Sequence, residues 1–462
     1  MRYWLLLVLV GCALLMLSFA TTVGKTCEPE RPICPPTTAG AVNLRVLTGH
    51  GALLCGKSTI TYVDVEMRGG AVANETQRPP LNLAIVLDKS GSMQGDKIED
   101  AKAAAIYLVQ HLRDSDIVSI VTYDSGVRIV VPATRATDRN NIIGQIRNLC
   151  ADGNTALFDG VSSGWSEVKK FQEKHAINRI ILLSDGLANV GPSQPSDLAN
   201  LGAAIGQSGI SVTTIGLGLG YNEDLMTQLA RTSEGNHAFV EHSQDLAYVF
   251  ERELGELAAT VAKDLQLTIR CEPGVRPVRL LGRMATISGQ TVQLSIGSLA
   301  ANQLKSAVLE VEITGAAEPA RQRVALATVN YLDIARNAAT TATTDAAISF
   351  TTDPAVVEQS VNREVMVLAV QLIANENNKL AVSLRDCSKT AEARQCLESN
   401  AAYLETNGIQ YQSDMLAGEG EANRAQSKQL DEANWNGCRK AMRNDQYVKE
   451  QQQSYNSTKK DK

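Results

Sequence analysis

The chain has no excess of positive charge. Its 462 residues include 44 Lys and Arg against 50 Asp and Glu, which gives a formal net charge of −6 at pH 7. A protein that binds nucleic acid through the phosphates needs a basic face, and this balance offers none. The apolar share of 44 % and the charged share of 20 % are those of an ordinary globular protein. We therefore expect a folded chain of two or three domains with no nucleic-acid partner.

The short motifs of common enzyme classes are also missing. The sequence contains no nucleophile elbow, no phosphate-binding loop and no HExxH among its five histidines. Gly216, Gly218 and Gly220 are not spaced as GxGxxG, so they suit a tight strand exit better than a dinucleotide site. We predict that the chain is not an enzyme. The alternative is that Asp88 and Asp185 act as an acid/base pair.

Long apolar runs are absent after the first 20 residues. Arg2 precedes an apolar stretch at 3–17, and Ser18-Phe19-Ala20 offers a small-x-small cleavage site. This pattern predicts an export signal at 1–20, followed by a Thr- and Pro-rich linker at 21–40. We expect a secreted, periplasmic or cell-envelope protein. An uncleaved membrane anchor is the alternative, since the apolar stretch is about long enough to span a bilayer.

No CxxC pair occurs, which disfavours zinc-ribbon or thioredoxin-like chemistry. Removing the signal removes Cys12 and leaves eight cysteines, and an even number in an exported chain predicts disulfide bonds. The suggested local pairs are Cys27–Cys34 and Cys387–Cys396, the second of which needs a break between two helices. Buried free cysteines are the alternative.

What the chain does contain is a set of oxygen-bearing side chains in three loops. In chain order they are Asp88, Ser90, Ser92, Thr155 and Asp185. The first three form Asp-x-Ser-x-Ser directly after the apolar run 83–87, and the last follows the apolar run 180–183. A single such motif would be typical of turns and helix caps. Three loops in order, each in a strand–helix frame, favour one divalent-metal site.

This set resembles the complete metal-ion-dependent adhesion site of von Willebrand factor A domains. The resemblance implies direct ligation by the hydroxyls of Ser90, Ser92 and Thr155, with Asp88 and Asp185 acting mostly through water. The expected ion is Mg²⁺, with Mn²⁺ or Ca²⁺ as alternatives, because these cations prefer oxygen ligands. An ion with few anionic ligands stays electrophilic, so we expect it to accept an Asp or Glu carboxylate from a protein partner. A hydrolase would need a general base beside the metal-bound water, and none is evident.

Residues 81–262 alternate between strand and helix patterns, which predicts an α/β, doubly wound parallel sheet. The predicted strands are 83–87, 117–123, 180–183, 212–217 and 238–240. The predicted helices are 96–112, 139–149, 157–174, 196–207, 223–231 and 244–257. The resemblance covers this whole stretch, and the layout looks like bacterial proteins similar to calcium-activated chloride channel components.

The flanking segments 41–80 and 263–350 show period-two patterns typical of antiparallel strands with one buried face. The simplest interpretation is one β-sandwich into which the A domain is inserted, which would allow Cys55 and Cys271 to be joined. Two separate β elements are the alternative. Residues 351–440 are predicted to be helical, with apolar stripes typical of a packed core, and 441–462 to be a disordered tail.

These patterns together predict an exported, adhesion-type module that binds a protein through a divalent cation. An accessory or regulatory component of an ion-transport or envelope complex is the alternative. A partner of an intracellular chelatase or motor ATPase is disfavoured by the export signal and the even cysteine number.

Overall fold

The structure is a computed structural model that describes residues 40–71 and 78–453. The predicted export signal, nearly all of the predicted linker and the suggested Cys27–Cys34 pair lie outside the described residues. Among the described residues, no helix is long and apolar enough to cross a membrane.

Residues 81–258 form a six-stranded sheet with helices on both faces. Its strands are β4 (Leu81–Asp88), β5 (Ile117–Tyr123), β6 (Val127–Arg135), β7 (Ile177–Ser184), β8 (Ser211–Leu217) and β9 (His237–Val240), in the order β6-β5-β4-β7-β8-β9. All neighbours are parallel except β6, which is antiparallel to β5. The prediction of a purely parallel sheet is therefore wrong at this edge. Only Val131 of β6 is buried, so the strand lacks the apolar pattern that identified the others.

Six helices cover this sheet at bounds close to those predicted. They are α1 (Asp96–His111), α2 (Arg139–Arg147), α3 (Leu157–Lys169), α4 (Pro195–Gln207), α5 (Glu223–Thr232) and α6 (Leu246–Ala258). Alternate residues of β4 point to opposite faces. Leu83 and Ile85 pack in the core with α1, α2 and α6, whereas Ala84 and Val86 pack in the core with α3, α4 and α5. Both faces of the sheet are thus buried, as its apolar strands require.

Two further sheets are built from strands that precede and follow this α/β unit in the sequence. The additional strands are β1 (Val42–Thr48), β2 (Ala52–Leu54), β3 (Thr59–Gly69), β10 (Thr260–Cys271), β11 (Val275–Leu280), β12 (Thr286–Ser288), β13 (Thr291–Ala300), β14 (Leu304–Ile313), β15 (Arg321–Asp333) and β16 (Ala338–Thr351). One sheet has the order β1-β3-β14-β11 and the other β12-β13-β10-β15-β16-β2. Val63 of β3 pairs with Leu309 of β14, and both lie in one core with Ile269 of β10. Strands that are far apart in sequence therefore share sheets and a core.

The C-terminal region is helical as predicted, and as far as residue 453 it contains five helices. They are α7 (Pro354–Gln359), α8 (Arg363–Asp386), α9 (Thr390–Tyr411), α10 (Asp414–Ser427) and α11 (Glu432–Gln451). The prediction of a disordered tail from residue 441 is wrong as far as residue 453. Helix α11 buries Met442 and Tyr447 together with polar side chains such as Lys440 and Asn444. Because the sequence of this helix is mostly polar, no apolar pattern indicated that the helix is buried.

The suggested Cys387–Cys396 disulfide is not formed, because the two side chains lie at different heights along α8. Cys387 is exposed at the end of α8, whereas the Cys396 thiol lies 3.4 Å from the backbone oxygen of Asn377. Asn377 precedes Cys387 by ten residues of helix, or about 15 Å. Cys55 and Cys271 are also free, so the pairing considered for them is not formed either.

Candidate metal centre

Three loops meet at the carboxyl ends of β4 and β7. Asp88 is the last residue of β4, and Asp185 directly follows β7, its parallel neighbour. Neighbouring parallel strands end at the same edge of a sheet, which is where ligands bind in such folds. The third loop, which carries Thr155, is held against the first by backbone hydrogen bonds. The Gly91 N–H donates to the Gly153 oxygen at 2.9 Å.

Hydrogen bonds link four of the five predicted residues into a network. The Ser90 and Ser92 hydroxyls lie 3.1 Å apart, and the Ser92 hydroxyl donates to Asp185 Oδ1 at 2.6 Å. The backbone N–H of Ser90 donates to Asp88 Oδ1 at 2.9 Å. Asp88, Ser90, Thr155 and Asp185 are buried, whereas Ser92 is exposed. The four buried residues thus form the floor of the site, and the site opens to solvent at its mouth beside Ser92.

The surroundings of Gly186 show that the Thr155 hydroxyl lies close to the hydroxyl of Ser92. A Cβ at residue 186 would lie 3.3 Å from the Thr155 Oγ1 and 3.5 Å from the Ser92 Oγ. The hydroxyls therefore line a small space that a side chain would enter. Neutral hydroxyls with two nearby carboxylates are a donor set that suits a hard divalent cation. Within the described residues, no group of three or more His, Cys, Asp or Glu is arranged to hold a metal, so a metal proposal rests on this hydroxyl-rich set.

Burial governs the electrostatics of Asp88. It raises the pKa of the Asp88 carboxyl, an effect that hydrogen bonds from Ser90 and Ser184 oppose and the nearby charge of Asp185 reinforces. A cation close to a buried carboxylate stabilises its charged form. Tyr123 lies nearby, and its hydroxyl donates to the Leu183 backbone oxygen at 3.1 Å. Burial raises the Tyr123 pKa well above its usual value, so the phenol stays neutral.

Three residues of the site were missed from the sequence. The Ser184 hydroxyl donates to Asp88 Oδ2 at 2.9 Å, and Asn189 Oδ1 accepts from the Thr155 N–H at 2.9 Å. The Lys97 ammonium lies 2.5 Å from Asp185 Oδ2. Ser184 is adjacent to Asp185 in sequence and is detectable on that ground. Lys97 and Asn189 carry no comparable signal, because a loop position does not fix where a side chain reaches.

Comparison with known proteins identifies the α/β unit. Residues 82–252 match the model of the von Willebrand factor type A domain, which confirms the predicted resemblance over that range. Domains of this family typically bind proteins in a metal-dependent way and are not enzymes.

The chain is also similar to curated proteins and to a solved structure. It is 32 % identical to the uncharacterized protein YfbK of Escherichia coli over 197 residues, which is 42 % of this chain and 34 % of that protein. It is 30 % identical to calcium-activated chloride channel regulator 1 of Bos taurus over 161 residues, or 34 % of this chain and 17 % of the relative. A von Willebrand factor type A protein from Catenulispora acidiphila superposes with a TM-score of 0.64 at 16 % identity, covering 82 % of this chain and 90 % of that one. The chain thus spans 34 % or less of the length of these two curated relatives. The structural likeness, at 16 % identity, shows the fold alone.

Proposed function

We propose that this chain is an exported module that binds a protein partner through a divalent cation. The observation that carries the proposal is the hydrogen-bond network that joins Ser90 and Ser92 to the buried carboxylates of Asp88 and Asp185. The hydroxyls of Ser92 and Thr155 line the space beside Gly186 at one side of this network. In this proposal the adhesion-type site is intact. Ser90, Ser92 and Thr155 would bind the ion directly, and Asp88 and Asp185 would act mostly through its waters. The ion supplies an open coordination position for a partner carboxylate.

The surroundings of the site support a protein partner. Leu187 is 58 % exposed and follows Asp185 by two residues, and Leu219 is 44 % exposed. The residue after Leu219 is Gly220, whose Cβ position lies 2.7 Å from the Asp185 backbone oxygen. Exposed aliphatic side chains beside an electrophilic ion suit a protein surface that presents a carboxylate among apolar residues.

Export is the part of the proposal that rests on sequence alone. The apolar stretch at 3–17 and the cleavage pattern at Ala20 support secretion or a place in the periplasm or cell envelope. N-terminal sequencing of the mature protein after expression in its host tests this part. A new N-terminus at residue 21 is expected, and retention of residues 1–20 would favour an anchored form.

A second candidate is an accessory role in an ion-transport or envelope complex. The observation that favours it is the likeness to a relative that is named a chloride channel regulator. Both candidates use the same site. They differ in whether the bound partner is itself a membrane protein, which identification of the partner decides.

Selection from a random peptide library tests the proposed function without knowledge of the partner. The immobilised chain is panned with Mg²⁺ or with EDTA, beside the Asp88→Ala variant. Peptides rich in Asp or Glu should be enriched only with Mg²⁺ and only on the unaltered site. Asp152→Ala is a matched control, because Asp152 lies in the Thr155 loop with its side chain exposed. Among the described residues, its Oδ1 accepts a hydrogen bond from the next backbone N–H and from no site residue. Equal enrichment in EDTA, or enrichment without acidic residues, would contradict the proposal.

A further inference from the structure

Asp185 has both carboxylate oxygens engaged by donors of this chain. Oδ1 accepts from the Ser92 hydroxyl at 2.6 Å, and Oδ2 accepts from the Lys97 ammonium at 2.5 Å. Lys97 lies in the first turn of α1, and it bonds a different oxygen of the carboxylate from the one that Ser92 bonds. The Lys97 charge therefore offsets the Asp185 charge within the candidate metal centre.

The Lys97 ammonium lies at the mouth of the site rather than in its floor. The side chain of Lys97 is 37 % exposed, whereas that of Asp185 is fully buried. The Lys97 Nζ is also 3.9 Å from the Cβ position of Gly218, in the loop that follows β8. An ammonium has three N–H donors. Asp185 is the one ion-pair partner of Lys97 within the described part of the chain, so donors remain for a group that enters from solvent.

The surface beside Lys97 is otherwise acidic. An open cleft of about 590 Å³ is lined by Lys97 together with Asp96, Glu99, Asp100 and Glu241. These carboxylates repel an approaching anion. A partner carboxylate is therefore drawn toward the metal ion and Lys97 rather than toward the carboxylates of this cleft.

We propose that Lys97 is a second anchor for the partner carboxylate and sets the preference of the site for Asp and Glu. One oxygen of the carboxylate binds the ion, and the other accepts a hydrogen bond from the Lys97 ammonium. This inference rests on the proposed function and deepens it. A charge-assisted hydrogen bond of this kind is stronger than one to a neutral group, so an Asn or Gln of the partner would bind less well than Asp or Glu.

The proposal predicts that Lys97→Met affects metal binding and carboxylate binding differently. Removing a positive charge beside a cation should leave Mn²⁺ binding unchanged or tighter. Removing a donor from the carboxylate should weaken carboxylate binding by about tenfold. Carboxylate affinity should thus fall while Mn²⁺ affinity does not, whereas a merely structural role for Lys97 would weaken both. Lys97→Arg, which keeps a charged donor, should retain carboxylate binding.

Acetate is a sufficient probe, because the proposal concerns only the carboxylate. The Mn²⁺-loaded full chain is titrated with acetate, and binding near the ion is measured from the paramagnetic relaxation of the acetate methyl protons. Lys89→Met is the matched control, since Lys89 lies between Asp88 and Ser90 but its ammonium pairs with Asp124. This control should bind acetate like the unaltered chain.

The outcomes distinguish a failure of the proposed role of Lys97 from a failure of the proposed function. Selective loss of acetate binding in Lys97→Met, with Mn²⁺ retained and recovery in Lys97→Arg, supports the proposal. Equal acetate affinity in Lys97→Met overturns the role of Lys97 alone, and joint loss of Mn²⁺ and acetate replaces it with a structural role. Absence of Mn²⁺ or acetate binding in the unaltered chain would instead overturn the proposed function, and this inference with it.

Discussion

Gly220 packs against the backbone of Asp185 so closely that a Cβ at residue 220 would lie 2.7 Å from the Asp185 oxygen. The next residue, Tyr221, is buried, and the Lys440 ammonium of α11 lies 4.6 Å from its ring centre. Lys440 also donates to the Tyr221 backbone oxygen at 2.7 Å. The candidate metal centre and the C-terminal helix are thus joined by continuous packing through the loop between β8 and α5.

We expect Lys440→Met to destabilise this junction. Lys440 and Glu223 are both buried, and their charged atoms lie 2.6 Å apart. Removing one partner of a buried pair leaves the other charge uncompensated, which typically costs at least about 3 kcal/mol. We expect the lower end of that range because Arg439 also pairs with Glu223. Urea denaturation measures the change in the free energy of unfolding.

An exposed ion pair provides the control for this substitution. Lys389 pairs with Glu392 at 3.2 Å, and both side chains are more than half exposed. Lys389→Met should change the stability by less than about 1 kcal/mol. Equal losses of unfolding free energy in the two variants would show that the buried ion pair contributes no more to stability than the exposed one.

Gly186→Ala should weaken metal binding while the fold remains stable. The added methyl carbon would crowd the Thr155 Oγ1 at 3.3 Å and would contact the Ser92 Oγ at 3.5 Å, so it would occupy the space that they line. Crowding of this kind costs about 1–3 kcal/mol. Because the crowding falls on the metal-bound state, Mg²⁺ affinity should fall by about 5-fold to 150-fold. Gly126→Ala is the control, because no atom lies within 4 Å of its Cβ position. Unaltered Mg²⁺ affinity in Gly186→Ala would exclude this space as the metal position.

His237 gives the protein a stability term that depends on pH. Burial, together with the nearby charges of Arg231 and Lys440, lowers the pKa of His237 from 6.5 to about 3. Between these pH values the unfolded chain binds a proton that the folded chain does not. The contribution is therefore complete above pH 6.5 and falls by about 1.4 kcal/mol per pH unit as the pH decreases toward 3.

The contribution of His237 to the pH dependence of stability has to be measured with a variant, because Asp64 contributes a pH dependence of the opposite sign. Burial raises the pKa of Asp64 from 3.8 to about 7, so its contribution is complete below pH 3.8 and is lost as the pH rises toward 7. The difference in unfolding free energy between the unaltered chain and His237→Gln cancels the Asp64 term. This difference should shrink as the pH falls from 6.5 to 4. Parallel curves for the two proteins would disprove the assignment.

Thiol labelling checks the state of the cysteines. Cys150 and Cys387 are exposed, whereas Cys271 and Cys438 are buried. Burial raises the pKa of Cys271 to about 11 and also raises that of Cys438. Iodoacetamide at pH 8 should therefore label the first two in the native protein and the other two only after unfolding. A cross-linked peptide joining Cys387 to Cys396 in a non-reducing digest would contradict the structure.

The sequence predicts the candidate site better than its surroundings, for a physical reason. Asp88 and Asp185 follow continuous apolar runs, and such runs are buried strands whose ends are well defined. The position of α11 was not predictable in this way, because it buries Lys440 and Asn444 through specific polar bonds rather than an apolar stripe. Lys97 was missed because its contact depends on where a long side chain reaches.

The edge of the α/β sheet illustrates the same limit. Strand β6 has one buried residue, Val131, and its pairing with β5 contains register shifts. Edge strands bury little and therefore carry a weak apolar pattern. The pairing of β3 with β14 is likewise a long-range register, which alternation within each strand does not specify.

The most direct test of the central claim is calorimetric titration of the purified chain with Mg²⁺ and Mn²⁺, beside Asp88→Ala and the control Asp152→Ala. We predict one binding site in the unaltered chain and in Asp152→Ala, and none in Asp88→Ala, whose circular dichroism should remain that of the unaltered fold. Binding that persists in Asp88→Ala, or that is lost equally in Asp152→Ala, would contradict the assignment of the metal centre.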